Sequence, residues 1–381
     1  MKNIFLCFIL FLSYNSLFSQ QIRSIPHGAQ SLMISSDARA SGLGDQGVAT
    51  SPDVYSQHWN PAKYVFLENK SGISVSYTPW LKKLGVEDSF LANLNYYNII
   101  DNRSSWSASF KYFTLGEIDL LNDPRQTPWI AEPNFFTLDG SYSLKLNKNF
   151  SMAVSGRFIS SSLRDPDSSL DSESTNTFAV DISGFFQSDI IAYENFNGLW
   201  RAGFNISNLG PRMKYEDLGR QEYIPTNLKL GSAFDFIFDS FNKLSFNIEF
   251  NKLLVPSLSV PVLDNDNNII RYSQPDVNFM SGIFKSFGDA PGGFSEELKE
   301  FTYAFGAEYL YNNAFALRGG YFHESQDKGN RQYFTIGGGF KTNAMNIDLS
   351  YLVNSSDVNN PLENSLRFSL SFDLGEVFDD Y

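Results

Sequence analysis

The residue types that could do chemistry are few and badly placed for it. The three histidines, His27, His58 and His323, stand too far apart in the chain to suggest a metal cluster or a catalytic base beside a nucleophile. Gly42-x-Gly44-x-x-Gly47 fits the dinucleotide fingerprint letter for letter. That fingerprint holds a pyrophosphate only between the strand and helix of a βαβ unit, and none is legible around it. Glycines that supply positive φ or close packing are the better reading. Asp264-Asn265-Asp266-Asn267-Asn268 opens like a calcium loop, but its sixth position is Ile269 and its twelfth is Pro275, where Gly and Glu are required. A solvated turn suits those residues better. No catalytic, cofactor-binding or metal-binding residue is assigned, and the chain reads as no enzyme.

What must hold these residues is then a question of composition. The chain has 381 residues with Lys+Arg 29 against Asp+Glu 42, a net charge of -13 that argues against a nucleic-acid partner. Aromatic residues make up 16% and charged residues 19%, below the roughly 25% of an ordinary soluble domain. Something apolar must take up those rings. Beyond the N-terminus no run approaches the ~18 apolar residues of a membrane helix. A β-barrel passes that test, because its strands alternate.

The first residues read as a secretory signal, 1–20: Met1-Lys2-Asn3, then the apolar stretch Ile4 to Leu12, then polar and small residues with cleavage near Ser19 or Gln20. The single cysteine, Cys7, lies inside the apolar stretch, a poor place for a lipid anchor. The mature chain therefore has no disulfide framework or thiolate metal site.

From residue 71 the period is two. Ile73, Val75 and Tyr77 alternate with Ser74, Ser76 and Thr78, and Trp106, Ala108, Phe110 and Tyr112 alternate with Ser107, Ser109 and Lys111. The pattern recurs to Phe372 often enough for about 14 strands, an even number as bacterial barrels have. Links alternate in length. Tight ones such as Asp101 to Arg103, Asn147 to Asn149 and Asn312 to Asn313 separate long ones such as Leu115 to Asn134 and Lys252 to Lys299, with a looser short link at Asp189 to Gly198. A soluble sandwich has no reason to sort its loops by parity. The fold class expected is all-β, a 14-stranded antiparallel transmembrane β-barrel over 71–374 with a tail at 375–381. Its apolar stripe faces lipid and its Ser, Asn, Asp and Lys stripe faces the lumen. Trp80, Trp106, Tyr112, Trp200, Tyr309, Tyr311 and Tyr351 suit the interfacial girdles.

Residues 21–70 show no alternation. Their place before the first strand predicts a plug inside the barrel, whose lumen would otherwise stand open. Within it Ser51 to Trp59 offers a short helix capped by Ser51, with Pro52 at the first position and Asp53 in the first turn. The connection Lys252 to Lys299 is long enough to expect function. It has helical character over Asp276 to Phe287 and Ser295 to Lys299, a turn at Pro291-Gly292-Gly293, and apolar anchors at Ile283, Phe284, Phe287 and Phe294. Those anchors could hold a partner or pack back into the lumen.

The stretches Ser36-Asp37-Ala38-Arg39, Gly42 to Thr50 and Gln57-His58-Trp59-Asn60-Pro61-Ala62-Lys63-Tyr64 resemble the N-terminal region of the PorV family, FadL-like outer-membrane barrels of the type IX secretion system. Gly282 to Phe287 with Asp289 to Phe294, Gly306 to Tyr309 and Phe315 to Phe322 extend the resemblance over nearly the whole mature chain. It implies a plugged barrel in the outer membrane, with His58, Trp59, Asn60, Pro61 and Ala62 as plug motif. Such a protein acts without chemistry of its own. It binds the C-terminal signal domain of secreted cargo, accepts it from the translocon barrel and carries it to an attachment complex holding a PorU-type sortase. The competing expectation is a FadL-like transporter of hydrophobic small molecules.

Overall fold

The computed structural model describes residues 24–82, 85–86, 88–120, 129–162, 174–214, 221–264, 269–342, 344–357, 360–363 and 365–377. The signal segment with Cys7, positions 265–268 of the calcium-like run and the last four residues lie outside the described residues.

Period-two alternation becomes fourteen long strands: β1 Asn69–Pro79, β2 Phe90–Asp101, β3 Ser104–Thr114, β4 Asn134–Lys145, β5 Phe150–Ser161, β6 Thr175–Gln187, β7 Asn197–Leu209, β8 Asn227–Ile237, β9 Asn242–Leu253, β10 Phe301–Tyr311, β11 Phe315–His323, β12 Gln332–Lys341, β13 Met345–Asn354 and β14 Leu366–Val377. Each pairs antiparallel with the next. Pairing of β14 with β1, for example Phe372 with Ile73, closes the ring. Closure leaves no strand edge, which a bilayer requires because it offers backbone groups no water.

The side chains are sorted inside out relative to a soluble protein. On β1, Ser74 and Ser76 are buried while Val75 and Tyr77 are exposed, and on β4 Thr137 and Asp139 are buried while Leu138 is exposed. Apolar groups left in water would cost about 25 cal/mol per Å²; facing acyl chains they cost nothing. The wall is a transmembrane barrel, and the links sort by length around it. Five links of two to four residues, the looser nine-residue β6–β7 link and both ends of the barrel sequence share one rim. Seven connections of eight residues or more share the other, which in bacterial barrels is the external one.

Three local expectations need correction. Strand β1 starts at Asn69 rather than 71, and β14 runs to Val377, into the expected tail from 375, where Val377 pairs with Asn69. Trp80 leaves the girdle: the chain turns inward after Pro79, Leu81 adopts φ 53°, and the Trp80 ring packs edge-on against Phe113 at 5.6 Å over the lumen. Trp106, Trp200, Tyr309 and Tyr311 do stand exposed on the outer wall.

A ladder closed by fourteen strand pairings should withstand detergent until heated. Unheated and boiled samples are expected to run at different mobilities on a denaturing gel, with a circular-dichroism spectrum dominated by strand. Identical mobilities together with a helical spectrum would contradict the closed barrel.

Candidate functional site

The segment before β1 fills the lumen. It carries 3₁₀ turns at Gln30–Met33 and Pro61–Phe66 and two single-turn helices, α1 Ala38–Ser41 and α2 Ser56–Trp59. Pieces this short have no stability of their own, so the wall must hold them in place. It does so through side chains of the inward stripe. Ser369 Oγ accepts the Ala38 N–H at 2.8 Å, and Glu249 Oε2 accepts the N–H groups of Gly47 and Val48, each at 2.8 Å. Arg367 Nη1 and Tyr333 Oη both donate to the Asp45 carboxylate. Hydrogen bonds to a charged group contribute about 1.5–3 kcal/mol each.

The most connected of these bolts centres on Arg39. Its guanidinium donates to Glu308 at 2.9 and 3.2 Å, to Asp53 at 2.5 Å and to the Ser51 carbonyl and hydroxyl at 3.1 and 2.6 Å. Arg318 completes the cluster, donating to Glu308 at 2.6 Å and Asp348 at 2.7 Å. This network explains why the expected helix from Ser51 is shorter. Ser51 and Asp53 are drawn to Arg39 instead of capping, so helix begins only at Ser56, with Tyr55 before it providing no side-chain cap. Elsewhere Arg157 bridges Asp139 and Asp181, and Arg201 pairs with Asp235 while reaching the Ala49 carbonyl at 3.3 Å.

The motif around residue 60 is brought together as a second anchor. Asn60 Nδ2 donates to Val48 O at 2.9 Å and Gly184 O at 3.0 Å, while its Oδ1 accepts the Ala62 N–H at 3.1 Å and so caps the Pro61–Phe66 turn. The carbonyls of Pro61 and Ala62 accept from Ser143 on β4 and Ser151 on β5. Trp59 donates to Asp37 at 2.7 Å, with the Lys229 ammonium 4.4 Å over its ring. His58 lies 3.0 Å from Lys111 Nζ through Nδ1. Asparagine here satisfies three backbone groups at once, which no apolar residue could do.

The glycine run has a packing role. Gly44 sits at φ 84° with any Cβ only 2.9 Å from the Tyr321 carbonyl oxygen, and a Cβ on Gly47 would lie 2.4 Å from the Trp59 ring. Among the described residues no strand precedes the run and no βαβ unit surrounds it.

Toward the external rim the lumen becomes apolar. Leu91, Phe113, Phe135 and Ile159 form a collar, filled by Ala29, Leu32 and Ile34 of the plug. The plug continues to the rim, where Gly28 N–H donates to Tyr223 O at 2.9 Å and Gln274 Nε2 to Pro26 O at 2.7 Å.

Above that rim stands the β9–β10 connection. It carries a ribbon of Val260–Leu263 paired with Ile269–Ser273, and two helices, α3 Phe279–Lys285 and α4 Phe294–Leu298. Helix α3 is shorter than expected, and α4 keeps the expected length one residue earlier in the chain. Asn278 caps α3 by accepting the Ser281 N–H, and Gly293 at φ 70° leads into α4. In the turn before it, Gly293 N–H closes back on Ala290 O and Gly292 N–H on Glu296, next to Pro291. Phe284 is 73% exposed, Phe294 77% and Phe287 52%, whereas Ile283 is half-buried. Phe284 and Phe287 line an open groove of about 630 Å³ together with Val260 and Pro275.

Buried ion pairs under the platform hold it in position. Lys252 Nζ lies 3.2 Å from Glu297 and 2.8 Å from Glu300, and Lys328 of the β11–β12 connection lies 2.8 Å from Glu296 and 3.0 Å from Glu300. Partial burial, with Glu300 and Glu297 nearby, pushes the Asp289 carboxyl above its ordinary value despite the Ser257 N–H it accepts. None of these charged partners was singled out from sequence. A signal exists for the charged residues of the wall, since Glu249, Lys252, Glu308, Arg318 and Asp348 lie on the inward stripe of otherwise apolar and small-residue strands, whereas Glu296, Glu297, Glu300 and Lys328 lie outside the barrel strands and carry none.

Solved structures share this architecture. The Pseudomonas putida toluene transporter TodX superposes with a TM-score of 0.50 at 12% identity, covering 92% of this chain and 99% of that one. A TodX monoaromatic hydrocarbon channel mutant gives 0.51 at 12% identity over 89% and 98%. At that identity the likeness concerns the fold. No curated protein sequence matches. The family described as type IX secretion system protein PorV matches residues 18–260. With that match, an outer-membrane barrel and a plug bolted through its lumen, the chain belongs to the PorV family of type IX secretion system proteins.

Proposed function

We propose that this protein carries secreted cargo at the outer membrane. It holds the C-terminal signal domain of a cargo protein, takes it from the type IX translocon barrel and delivers it to the attachment complex with its PorU-type sortase. The observation that supports this reading best is the platform on the external rim: exposed Phe284, Phe287 and Phe294 beside an open groove, held by buried ion pairs above a plugged lumen. A folded domain cannot enter a filled lumen, so it must dock on such a rim. Aromatic anchors ringed by polar residues are the usual energetic centre of a protein contact. The competing role, passage of a hydrophobic small molecule, would need a greasy path, and the lumen below the collar is lined by ion pairs instead.

Replacing Ile283, Phe284 and Phe294 together with Ser tests the reading. Each anchor contributes about 2 kcal/mol in a typical contact, so capture of cargo signal domain should fall by about a hundredfold or more. Assembly should be unaffected, because no lipid-facing strand changes. Undiminished capture by a mutant with normal heat-modifiable mobility would move the site to the connections 115–133 or 210–226.

A further inference from the structure

The link between β6 and β7 departs from the other short links on its rim. Tips such as Asn102-Arg103, Asn147-Lys148 and Asn312-Asn313 are built from residues suited to water, and only the neighbouring β8–β9 link, among the described tips, likewise exposes aromatic rings, Phe238 at 49% and Phe241 at 54%. The β6–β7 link forms a small hairpin in which Ile191 and Ala192 pair with Gly198 and Asn197, and it exposes Ile190 at 61% and Tyr193 at 44%.

The hairpin is not directed into the lumen. Tyr193 and Phe196 stack at 4.8 Å, and Phe196 lies 5.0 Å from Phe236, whose side chain belongs to the outward stripe of β8. Gly198 makes this approach possible, since a Cβ there would sit 2.6 Å from both the Phe234 and Tyr193 rings. Through Phe234 and Phe236 the cluster runs without a break into Trp200 and Phe246 of the lipid-facing wall, at 4.5 and 6.0 Å. Polar groups bound it at both ends. Glu194 and Asn195 are exposed at the tip, and Lys148 pairs with Asp189 at the base at 2.8 Å.

From this continuity with the lipid-facing belt we infer that the β6–β7 hairpin is a membrane anchor, lying in the headgroup and upper acyl region of the inner leaflet of the outer membrane. Its partner is the phospholipid surface. Aromatic rings that combine an apolar body with a polar rim favour that depth, and Ile190 and Ile191 would leave water for acyl chains there. Phe238 of the neighbouring β8–β9 link, stacked with Phe236 at 6.3 Å, carries the same apolar surface sideways from the anchor. The inference rests on the barrel and is independent of cargo carriage.

Single spin labels test it, introduced at Ile191→Cys, Glu194→Cys and, as a lipid-facing reference, Val154→Cys in a Cys7→Ser background. Each variant is first checked for heat-modifiable mobility, then reconstituted in vesicles of phosphatidylethanolamine and phosphatidylglycerol. Accessibility to oxygen relative to a water-soluble nickel complex is expected to be several-fold higher at position 191 than at 194, and close to that at 154. A label at 191 as open to nickel as the one at 194 would overturn the anchor and leave the hairpin as a surface for a protein in the periplasm.

Discussion

Deleting residues 21–66 should convert a closed barrel into a conducting pore. The wall owes its closure to strand pairings alone, and β1 begins only at Asn69, so the deletion removes no ladder hydrogen bond. What it removes is the filling. Plug residues occupy the lumen from the Leu91–Phe135 collar at the external rim down to Pro61 and Ala62, which meet Ser143 and Ser151 near the opposite rim. A 14-stranded barrel without them has a lumen wide enough for water and ions. The groups uncovered, among them Glu249, Glu308, Arg318 and Arg201, are charged and would hydrate readily. In planar bilayers the full chain should show little current, and the deletion should give discrete, long-lived conducting steps. Equal, low conductance with and without the segment would show that the plug does not occlude the barrel.

That experiment also weighs the two functions. A carrier that docks cargo on its rim keeps its plug and retains cargo capture whether or not the lumen conducts. A transporter of hydrophobic molecules would need the intact chain to move them, past ion pairs such as Arg201 with Asp235.

Much of this arrangement was legible in the residues, for a physical reason. A strand exposes one face to lipid and one to the lumen, so the alternation of Val75 and Tyr77 with Ser74 and Ser76 carries the fold directly, and link lengths add the parity of the rims. The plug was legible only as a place where alternation stops. Its internal structure depends on partners hundreds of residues away: Asp53 looks like a helix-start residue until Arg39, itself held by Glu308, is known to take it. Trp80 failed for a related reason. An aromatic residue at a strand end suits a girdle, and only the inward turn after Pro79 sends it over the collar. On the platform, the anchors Phe284, Phe287 and Phe294 could be named from sequence, but whether they faced inward or outward could not. The ion pairs beneath them set that orientation, with Lys252 and Lys328 drawing Glu296, Glu297 and Glu300 under the helices.

Replacing Arg39 by Ala should loosen the plug without opening the wall. In the native cluster two arginines, Arg39 and Arg318, answer three carboxylates, Asp53, Glu308 and Asp348. Without Arg39, Arg318 remains to answer Glu308 and Asp348 and the Lys63 ammonium to answer Asp53, while Asp53 and Ser51 lose the contacts that fold residues 51–55. Breaking a buried ion pair by removing one partner costs about 3–5 kcal/mol, mainly because the other charge is left uncompensated. That penalty falls on the docked plug, since Glu308 can regain water when the segment moves away. Arg39→Lys keeps the charge but cannot span Glu308, Asp53 and Ser51 with one planar fork, so it should fall between the two. Two readouts separate loosening from unfolding. The unheated gel band should persist in all three proteins, while cleavage of the plug by added protease in detergent should increase from Arg39 through Lys to Ala. Bilayer recordings of the Ala variant should show brief openings of the size seen for the deletion. If the Ala variant resists protease as the native chain does and stays silent in bilayers, the plug is held by its backbone contacts to Glu249, Ser143 and Ser151 rather than by the arginine cluster.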